Sequence, residues 1–193
     1  MTKLYIPLAA LMLVLLAAWQ PNPTIRYTLT EASTLWVTGT SSLHDWQCDA
    51  TQVKGWLDAE VGESVTGIPV AEISVPSELD CDNGTMNKKT RKALKSDDHK
   101  TISFKLTKAE VVPGTGNAFN IKTTGQLTIA GVTNTVTTTV KGEMLANGNM
   151  QLTGTLPVTM SDHGVDPPTA MLGTLKTGDD VVVHIKAIAA PAK

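Results

Sequence analysis

The stretch GQLTIAGVTNTVTTTVKGEML, residues 125–145, decides the fold of this chain. Apolar and polar residues alternate through both halves, which is typical of antiparallel strands with one buried and one wetted face. In the first half Leu127 and Ile129 share a face, and in the second half Val136 and Val140 do. The stretch therefore predicts two paired strands.

A tight turn joins these two strands. We place it at Ala130–Asn134, where Gly131 or Asn134 can take a positive φ. A hairpin with one apolar face needs a second sheet or a closed barrel to cover that face. The rest of the chain must therefore supply further strands.

The same alternation recurs along most of the sequence. Further alternating segments lie near residues 24–29, 33–41, 46–61, 71–75, 102–107, 151–160 and 181–186. Short turns such as Asn147-Gly148-Asn149 join several of them. About eight amphipathic strands predict an all-β domain, either an up-and-down antiparallel barrel or a sandwich. The interior of an eight-stranded barrel holds side chains or one small ligand.

One window, residues 84–95, has a helical period instead. One helix face is formed there by Met86, Thr90, Ala93 and Leu94. The basic residues lie off that face or at its margin: Lys88, Lys89, Arg91, Lys92 and Lys95. The helix is either a lid whose basic face lies near anionic head groups, or a plug with an ordinary solvated face.

The first 18 residues predict a secretory signal peptide, because a basic residue precedes an apolar run shorter than the roughly 20 residues of a membrane span. Cleavage near Ala17 or Ala18 would remove it. An uncleaved anchor and a buried helix are the alternatives. Residues 19–23 then form a lead-in, residues 24–189 a single domain and residues 190–193 a tail. We expect the protein in the periplasm or otherwise exported.

Composition excludes one class of partner. The net charge is −2, whereas nucleic-acid-binding domains usually carry a basic excess. Aromatic residues make up only 4%, too few for a base-stacking surface. We therefore expect no nucleic acid.

The two cysteines, Cys48 and Cys81, are an even number in a chain predicted to be exported. This favours a disulfide, with free thiols as the alternative. A bridge between them would contribute about 3–4 kcal/mol by the chain-entropy estimate. Two sulfur ligands without a CxxC motif do not predict a metal site.

The four histidines are His44, His99, His163 and His184. They form no close-spaced motif such as HExxH. A shared metal or acid–base site is one hypothesis, and turn or hydrogen-bonding residues at strand ends are the other. The chain also has no GxSxG elbow and no glycine-rich phosphate loop before a helix. We predict no enzyme activity, no metal and no cofactor.

Residues 125–136, GQLTIAGVTNTV, resemble the G-x-L-T-I-x-G-V-T-x-x-V signature of the YceI-like family. Three other parts of the chain agree with the family in order and spacing. They are Ser42–Trp46, Met86–Phe104, and Met160–Val165 with the closing Gly178–Val181. The resemblance covers nearly all of the predicted domain.

The resemblance implies an extended lipocalin-like antiparallel barrel in an exported bacterial protein, and some family members hold a long polyisoprenoid chain in the barrel. The chain departs from the family pattern in three places. Lys100 stands where a proline commonly precedes the T-I-x-F strand, no Asp follows Arg91, and the Cys48/Cys81 pair is not part of the general pattern.

Residues and resemblance together predict binding by burial of an apolar chain against the inward strand faces. Each buried methylene contributes about 0.8 kcal/mol, so no special polar contact is required. The predicted lining is Ile102, Phe104, Leu127, Ile129, Val136, Val140, Leu156, Val158 and Val183. The same residues would be plain core if the barrel were filled.

We therefore predict an exported protein that carries or sequesters an isoprenoid, a quinone-like lipid or a similar long apolar molecule. Contact with a membrane would be transient, or made through an uncleaved N-terminal segment. The alternatives are an envelope interaction or stress protein with a filled barrel, and a histidine- or metal-dependent enzyme.

Overall fold

The computed structural model describes residues 22–170 and 174–192, so the predicted signal peptide lies outside the described residues. Within them the backbone forms twelve β-strands, one α-helix and a short 3-10 helix at Ser161–His163. The α-helix, α1, spans Gly84–Ala93 between β6 and β7. The strands are β1 (Thr24–Leu29), β2 (Thr34–Ser41), β3 (Trp46–Ala50), β4 (Lys54–Val61), β5 (Val65–Pro76), β6 (Leu79–Asp80), β7 (Thr101–Pro113), β8 (Ala118–Ile129), β9 (Val132–Met144), β10 (Met150–Thr159), β11 (Thr169–Ala170) and β12 (Leu175–Pro191).

Eight of these strands form a closed antiparallel barrel in the order β1-β4-β5-β7-β8-β9-β10-β12. The ring closes where β12 returns to β1 and Leu29 pairs with Ala189. The predicted all-β barrel with one helix is confirmed, and the sandwich alternative is wrong because a single sheet closes on itself. In the described ranges, no helix has the length and apolar character needed to cross a membrane.

The strand β12 belongs to two parts of the sheet. Its C-terminal end pairs with β1, whereas its longer N-terminal part pairs with β2 from Thr177 to Lys186. β3 pairs with β2, and β6 pairs with β3, so these three strands form a side branch of the sheet. This branch extends the wall of the barrel at the end where α1 lies.

The β8–β9 hairpin is the predicted one, but its turn is shorter than expected. Ile129 pairs with Val132, so Ala130 and Gly131 alone form the loop, with φ of 48° and 83°. Two positive φ values in a two-residue loop match the twist of a hairpin. The predicted five-residue turn is therefore wrong, and Asn134 lies within β9.

Threonines pair across the outer face of this hairpin. Thr128 and Thr133 hydroxyls lie 2.8 Å apart, and those of Thr124 and Thr137 3.1 Å apart. Such cross-strand hydrogen bonds stabilise antiparallel pairs and fix their register. The abundance of threonine in this stretch thus has a structural cause.

The predicted strand at 46–61 is two strands. β3 pairs with β2 and β6, whereas β4 pairs with β1 and β5, and residues 51–53 bend between them. The alternation continues through the bend because Val53 is buried as a strand residue would be. Periodicity alone therefore could not show that the chain changes partners.

Three strands are longer than predicted, because β-bulges interrupt the alternation. The register of β7 shifts between Leu106 and Lys108, where the predicted strand ended. The register of β12 shifts between Thr177 and Val181, where its predicted strand began. Two further shifts lie in the β4–β5 pair, between Asp58 and Glu60 and between Glu60 and Val61. One extra residue at a bulge inverts the in-and-out pattern that follows it.

One end of the barrel is filled by apolar side chains. The cluster there includes Val65, Met150 and Ala59, all essentially inaccessible to water, with Tyr27 and Phe119 beside them. These side chains come from strands on all sides of the ring, so they close this end. The opposite end is covered by α1.

The helix α1 begins at Asn83, whose side chain accepts hydrogen bonds from the backbone N–H groups of Thr85 (2.9 Å) and Met86 (3.1 Å). An N-cap of this kind typically stabilises a helix by about 1 kcal/mol. The predicted range of 84–95 is two residues too long, because Lys95 adopts a positive φ of 51°. Leu94, just after the helix, packs against Ala130 and Val165 and holds α1 on the barrel end.

The predicted disulfide is present. Cys48 of β3 is bonded to Cys81, which lies between β6 and α1, and their Cα atoms are 4.0 Å apart. Both residues are buried. The bond therefore ties the entry of α1 to the side branch of the sheet.

Candidate ligand-binding cavity

A cavity of about 440 Å³ lies inside the barrel, between the filled end and α1. Its wall is mostly apolar and comes from strands all round the ring, including β5, β7, β8, β10 and β12. The volume lies within the roughly 300–1,000 Å³ of small-molecule sites, which are likewise mainly apolar. The interior of this barrel is therefore partly hollow.

Eight of the nine predicted lining residues border this cavity: Ile102, Phe104, Leu127, Ile129, Val140, Leu156, Val158 and Val183. The ninth, Val136, is not among the lining residues. It packs beside Val158 and borders a separate, mainly polar depression with Pro157 and Thr159. That ligand touches these residues stays a prediction.

Sequence reasoning missed other parts of the wall. Leu35 and Val37 of β2 line the cavity, and so do Trp46 of β3 and Met86 of α1. The alternation of β2 contained the signal, since Leu35 and Val37 share a parity. The helix and β3 contributions depend on how distant segments pack, which periodicity does not contain.

Threonines of the wall were also missed, because they are polar. Thr123 Oγ1 donates to the Thr138 carbonyl at 3.1 Å, and Thr138 Oγ1 donates to the Thr155 carbonyl at 2.6 Å. These hydrogen bonds run from β8 to β9 and from β9 to β10. Because each of these two hydroxyls already donates to a main-chain carbonyl, an apolar ligand would leave neither donor unpaired.

The wall has a seam between β9 and β10. Main-chain pairing between these strands runs from Met144–Met150 to Val140–Gly154, and none is described between residues 132–139 and 155–159. Beside this gap, side-chain hydrogen bonds join β9 to the 3-10 helix that follows β10. Asn134 Nδ2 donates to the Asp162 carbonyl at 2.8 Å, and His163 Nδ1 donates to the Val132 carbonyl at 3.3 Å.

This seam explains the position of Val136. Where two strands diverge, an inward-facing residue no longer meets the neighbouring strand at the usual spacing. Val136 therefore lies beside Pro157 and Thr159 at the edge of the gap. Pro157 has no N–H to donate, which is typical of proline at sheet edges.

The mouth of the cavity is bordered by the β2–β3 loop, by α1 and by the β11–β12 pair. Leu43 and His44 of the loop line it, and Leu43 remains 68% exposed. Lys89 of α1 and Lys176 of β12 line it as well. Lys89 Nζ donates to the Thr169 carbonyl at 3.0 Å, which joins the helix to the β11–β12 pair.

The two interpretations of α1 can be compared with its contacts. Met86, Thr90 and Ala93 face the cavity, as the helical stripe predicts, whereas Lys88 and Lys92 are exposed to solvent. The helix therefore covers the barrel end with its apolar face and places most of its basic residues in water.

Arg91 has acidic partners, although Lys92 and not an Asp comes directly after it in the sequence. Its guanidinium lies 2.7 Å from Asp97 Oδ1 and 3.2 Å from Glu78 Oε1. The hydrogen bond from Arg91 lowers the pKa of Asp97, and the coulombic attraction adds to this effect. The pair links α1 to the loop that follows it.

A second ion pair lies on the barrel wall. Arg26 of β1 donates from Nε and Nη2 to Asp58 of β4, at 2.8 and 2.9 Å. This hydrogen bonding lowers the pKa of Asp58. The guanidinium also lies 4.0 Å from the ring centre of Trp56, and Trp56 lines the cavity.

The four histidines make different contacts, and two of them, His99 and His163, lie at the β8–β9 turn. His44 Nδ1 donates to the Asp45 carbonyl at 2.7 Å, and His163 is buried beneath the β8–β9 turn. His184 stacks on Trp36 with ring centres 5.0 Å apart, and His99 lies against Gly131. In residues 22–170 and 174–192, no three His, Cys, Asp or Glu side chains lie close enough to hold a metal ion.

Comparison with known proteins identifies relatives of this barrel. The family profile of the YceI-like domain matches residues 27–189. A search of curated proteins finds no match.

Solved structures share the fold. The crystal structure of Burkholderia cenocepacia BcnA is 17% identical, with a TM-score of 0.68 over 84% of this chain and 99% of that one. A polyisoprenoid binding domain from Saccharophagus degradans is 12% identical, with a TM-score of 0.68 over 87% and 99% of the two chains. A Campylobacter jejuni YCEI protein is 17% identical, with a TM-score of 0.59 over 76% and 84%.

Proposed function

The chain belongs to the YceI-like family, and from this premise we propose that it binds a long apolar molecule, such as an isoprenoid or a quinone-like lipid, inside its barrel. The observation that carries the proposal is the apolar cavity of about 440 Å³ between the filled end and α1. A structural neighbour described as a polyisoprenoid binding domain supports the same class of ligand.

The affinity would come from burial of hydrocarbon. At about 0.8 kcal/mol per methylene, ten buried methylenes contribute about 8 kcal/mol, which corresponds to micromolar binding before the costs of ordering. The wall is suited to this, because its strands present Leu, Ile, Val and Phe side chains to the interior. We propose that the protein carries or sequesters this molecule and does not transform it.

The cavity weighs against a filled barrel. An envelope interaction protein with a packed interior would need none of the space between the filled end and α1. The size of the cavity and the exposure of Leu43 at its mouth favour occupation by a separate molecule.

We also propose that the protein works in the periplasm or in another exported compartment. The Cys48–Cys81 disulfide fits an oxidising environment. The short apolar run within residues 1–18 has the pattern of a signal peptide. Intact mass measurement of the mature protein would show a chain beginning after Ala17 or Ala18, whereas an uncut N-terminus would favour an anchor.

Native mass spectrometry of the protein, followed by solvent extraction and identification of the released lipid, tests the binding function. The variant Leu156→Trp should fill the cavity and reduce the bound lipid. A matched control is Thr153→Trp, since residue 153 lies on the same strand but does not line the cavity. Protein that is lipid-free as purified, and that binds neither prenyl nor acyl chains when these are added, would contradict the proposal.

A further inference from the structure

Both charged side chains among the described lining residues are cationic. They are Lys89 and Lys176, and neither Asp nor Glu lines the described part of the cavity. The composition does not explain this, because the chain contains 18 Asp and Glu against 16 Lys and Arg. Among the described residues, the charged side chains that line the cavity are therefore all positive.

The two lysines are brought together by the β11–β12 pair. Lys89 reaches from α1 and donates through Nζ to the Thr169 carbonyl at 3.0 Å. Thr169 is the direct cross-strand partner of Lys176. Both lysines therefore border the mouth of the cavity, at the end opposite the filled core.

The backbone around Lys176 is held in place by the β2–β3 loop. The Ser42 N–H donates to the Lys176 carbonyl at 2.9 Å, and the Lys176 N–H donates to Ser42 Oγ at 3.0 Å. The same loop carries His44, which also lines the cavity. Asp45 and Asp166 lie in neighbouring loops, but neither is among the lining residues.

An ammonium group has three N–H donors. The Lys89 hydrogen bond to Thr169 uses one of them and leaves two for a further acceptor. An anion is the natural acceptor, because charge-assisted hydrogen bonds are roughly twice as strong as neutral ones. At the partly exposed mouth an anion stays partly hydrated. In the apolar interior it would lose its hydration completely, which is far more unfavourable in free energy.

We propose that the ligand is an amphiphile with an anionic head, a carboxylate or a phosphate, held at the mouth by Lys89 and Lys176 while its apolar tail fills the cavity. This inference rests on the proposed lipid-binding function, which it deepens by naming the polar end of the ligand. It also assigns a direction of entry, tail first towards the filled end.

Three probes with one common chain test the proposal: farnesol, farnesoic acid and farnesyl phosphate. Their dissociation constants are measured by titration calorimetry with lipid-stripped protein at low salt. We expect the anionic probes to bind about tenfold more tightly than farnesol, and the difference to shrink as salt screens the lysines. A preference for one anion over the other distinguishes a carboxylate head from a phosphate head.

The variant K89Q/K176Q should bring the anionic probes to the affinity of farnesol and leave farnesol itself unchanged. The control K122Q/K141Q removes the same charge from exposed positions of β8 and β9 that do not line the cavity, and should keep the preference. Circular dichroism and thermal melts confirm that both variants fold.

Farnesol binding as tightly as the anions, or an anion preference that survives K89Q/K176Q, would overturn the inference while leaving the binding function intact. Failure of all three probes and of other prenyl or acyl chains would instead contradict the binding function, and the inference with it.

Discussion

Phe119 of β8 lies against the backbone of Gly142, its cross-strand partner on β9. A Cβ atom at residue 142 would overlap the phenyl ring. The ring is buried in the cluster that fills one end of the barrel. It therefore occupies the space that a side chain on β9 would take.

Replacing Gly142 by Ala should lower the free energy of unfolding by about 1–3 kcal/mol, because the added methyl group overpacks the filled end. Urea denaturation of the two proteins measures the difference. Gly84→Ala is the control, since a Cβ there meets nothing within 4 Å. Equal stability of G142A and the parent protein would refute the overpacking argument.

Gly125, the first residue of the hairpin stretch, supports Phe104 in the same way. A Cβ at residue 125 would overlap the Phe104 ring and lie 2.7 Å from the Lys105 carbonyl oxygen. Gly125→Ala should push the ring into the cavity and weaken binding of an apolar chain about fivefold, or about 1 kcal/mol. The double variant G125A/F104L should recover most of that affinity. If it does not, the loss comes from the backbone and not from the cavity.

Removing the disulfide should destabilise the protein by about 3–4 kcal/mol on the chain-entropy estimate. The expected consequence is a lower unfolding midpoint for C48A/C81A, and the same shift when the parent protein is unfolded in the presence of dithiothreitol. The reductant should have no effect on C48A/C81A. Because Cys81 precedes α1, the variant should also release bound lipid faster.

The Arg26–Asp58 pair predicts a dependence of stability on pH. The hydrogen bond from Arg26 lowers the pKa of Asp58, so the pair stabilises the fold above the ordinary carboxyl range. The contribution is lost as pH falls below about 4 through the lowered value. We expect a small effect, because the Arg26 side chain is 53% exposed.

The difference in unfolding free energy between the parent protein and Asp58→Asn should therefore be present at pH 6 and should shrink at pH 3. Urea denaturation at the two pH values measures it. A difference that is as large at pH 3 as at pH 6 would show that the ionised carboxylate is not the cause.

The seam between β9 and β10 depends on side-chain hydrogen bonds. Thr138→Val removes the hydroxyl that donates to the Thr155 carbonyl, which should cost about 1 kcal/mol. Amide hydrogen exchange of residues 132–139 should become faster than in the parent protein. Thr139→Val, on the outward face of the same strand, should leave exchange unchanged; similar acceleration by both variants would exclude a specific bridge.

The sequence predicts the barrel well because its alternation records which face of each strand is buried. Leu127, Ile129 and Val140 all face the interior, as their parity requires. The alternation does not predict the strand boundaries correctly where the backbone bends or bulges while its side chains stay buried in the same way. Val53 is buried in a bend, and the bulge after Leu106 ends a predicted strand that continues to Pro113.

The residues that form the cavity and its mouth are harder to predict from the alternation. Val136 has the correct parity but lies at the seam, whose divergence leaves no mark in the alternation. Lys89 and Lys176 are far apart in the sequence, and only the contact of α1 with the β11–β12 pair brings them to one mouth. Helix periodicity placed Lys89, with the other basic residues, off the apolar stripe or at its margin, but could not indicate the opposing strand.

The pairing of β12 with both β1 and β2 determines when the barrel can close during folding. The strand made last completes the ring with the strands made first, so β1, β2 and β10 keep unpaired edges until residues 175–191 are available. Contacts between distant segments make folding slow, and open edges invite aggregation. Barrel closure is therefore a step that follows synthesis of nearly the whole domain, and a chain truncated before β12 is expected to be a substrate for chaperones and proteases.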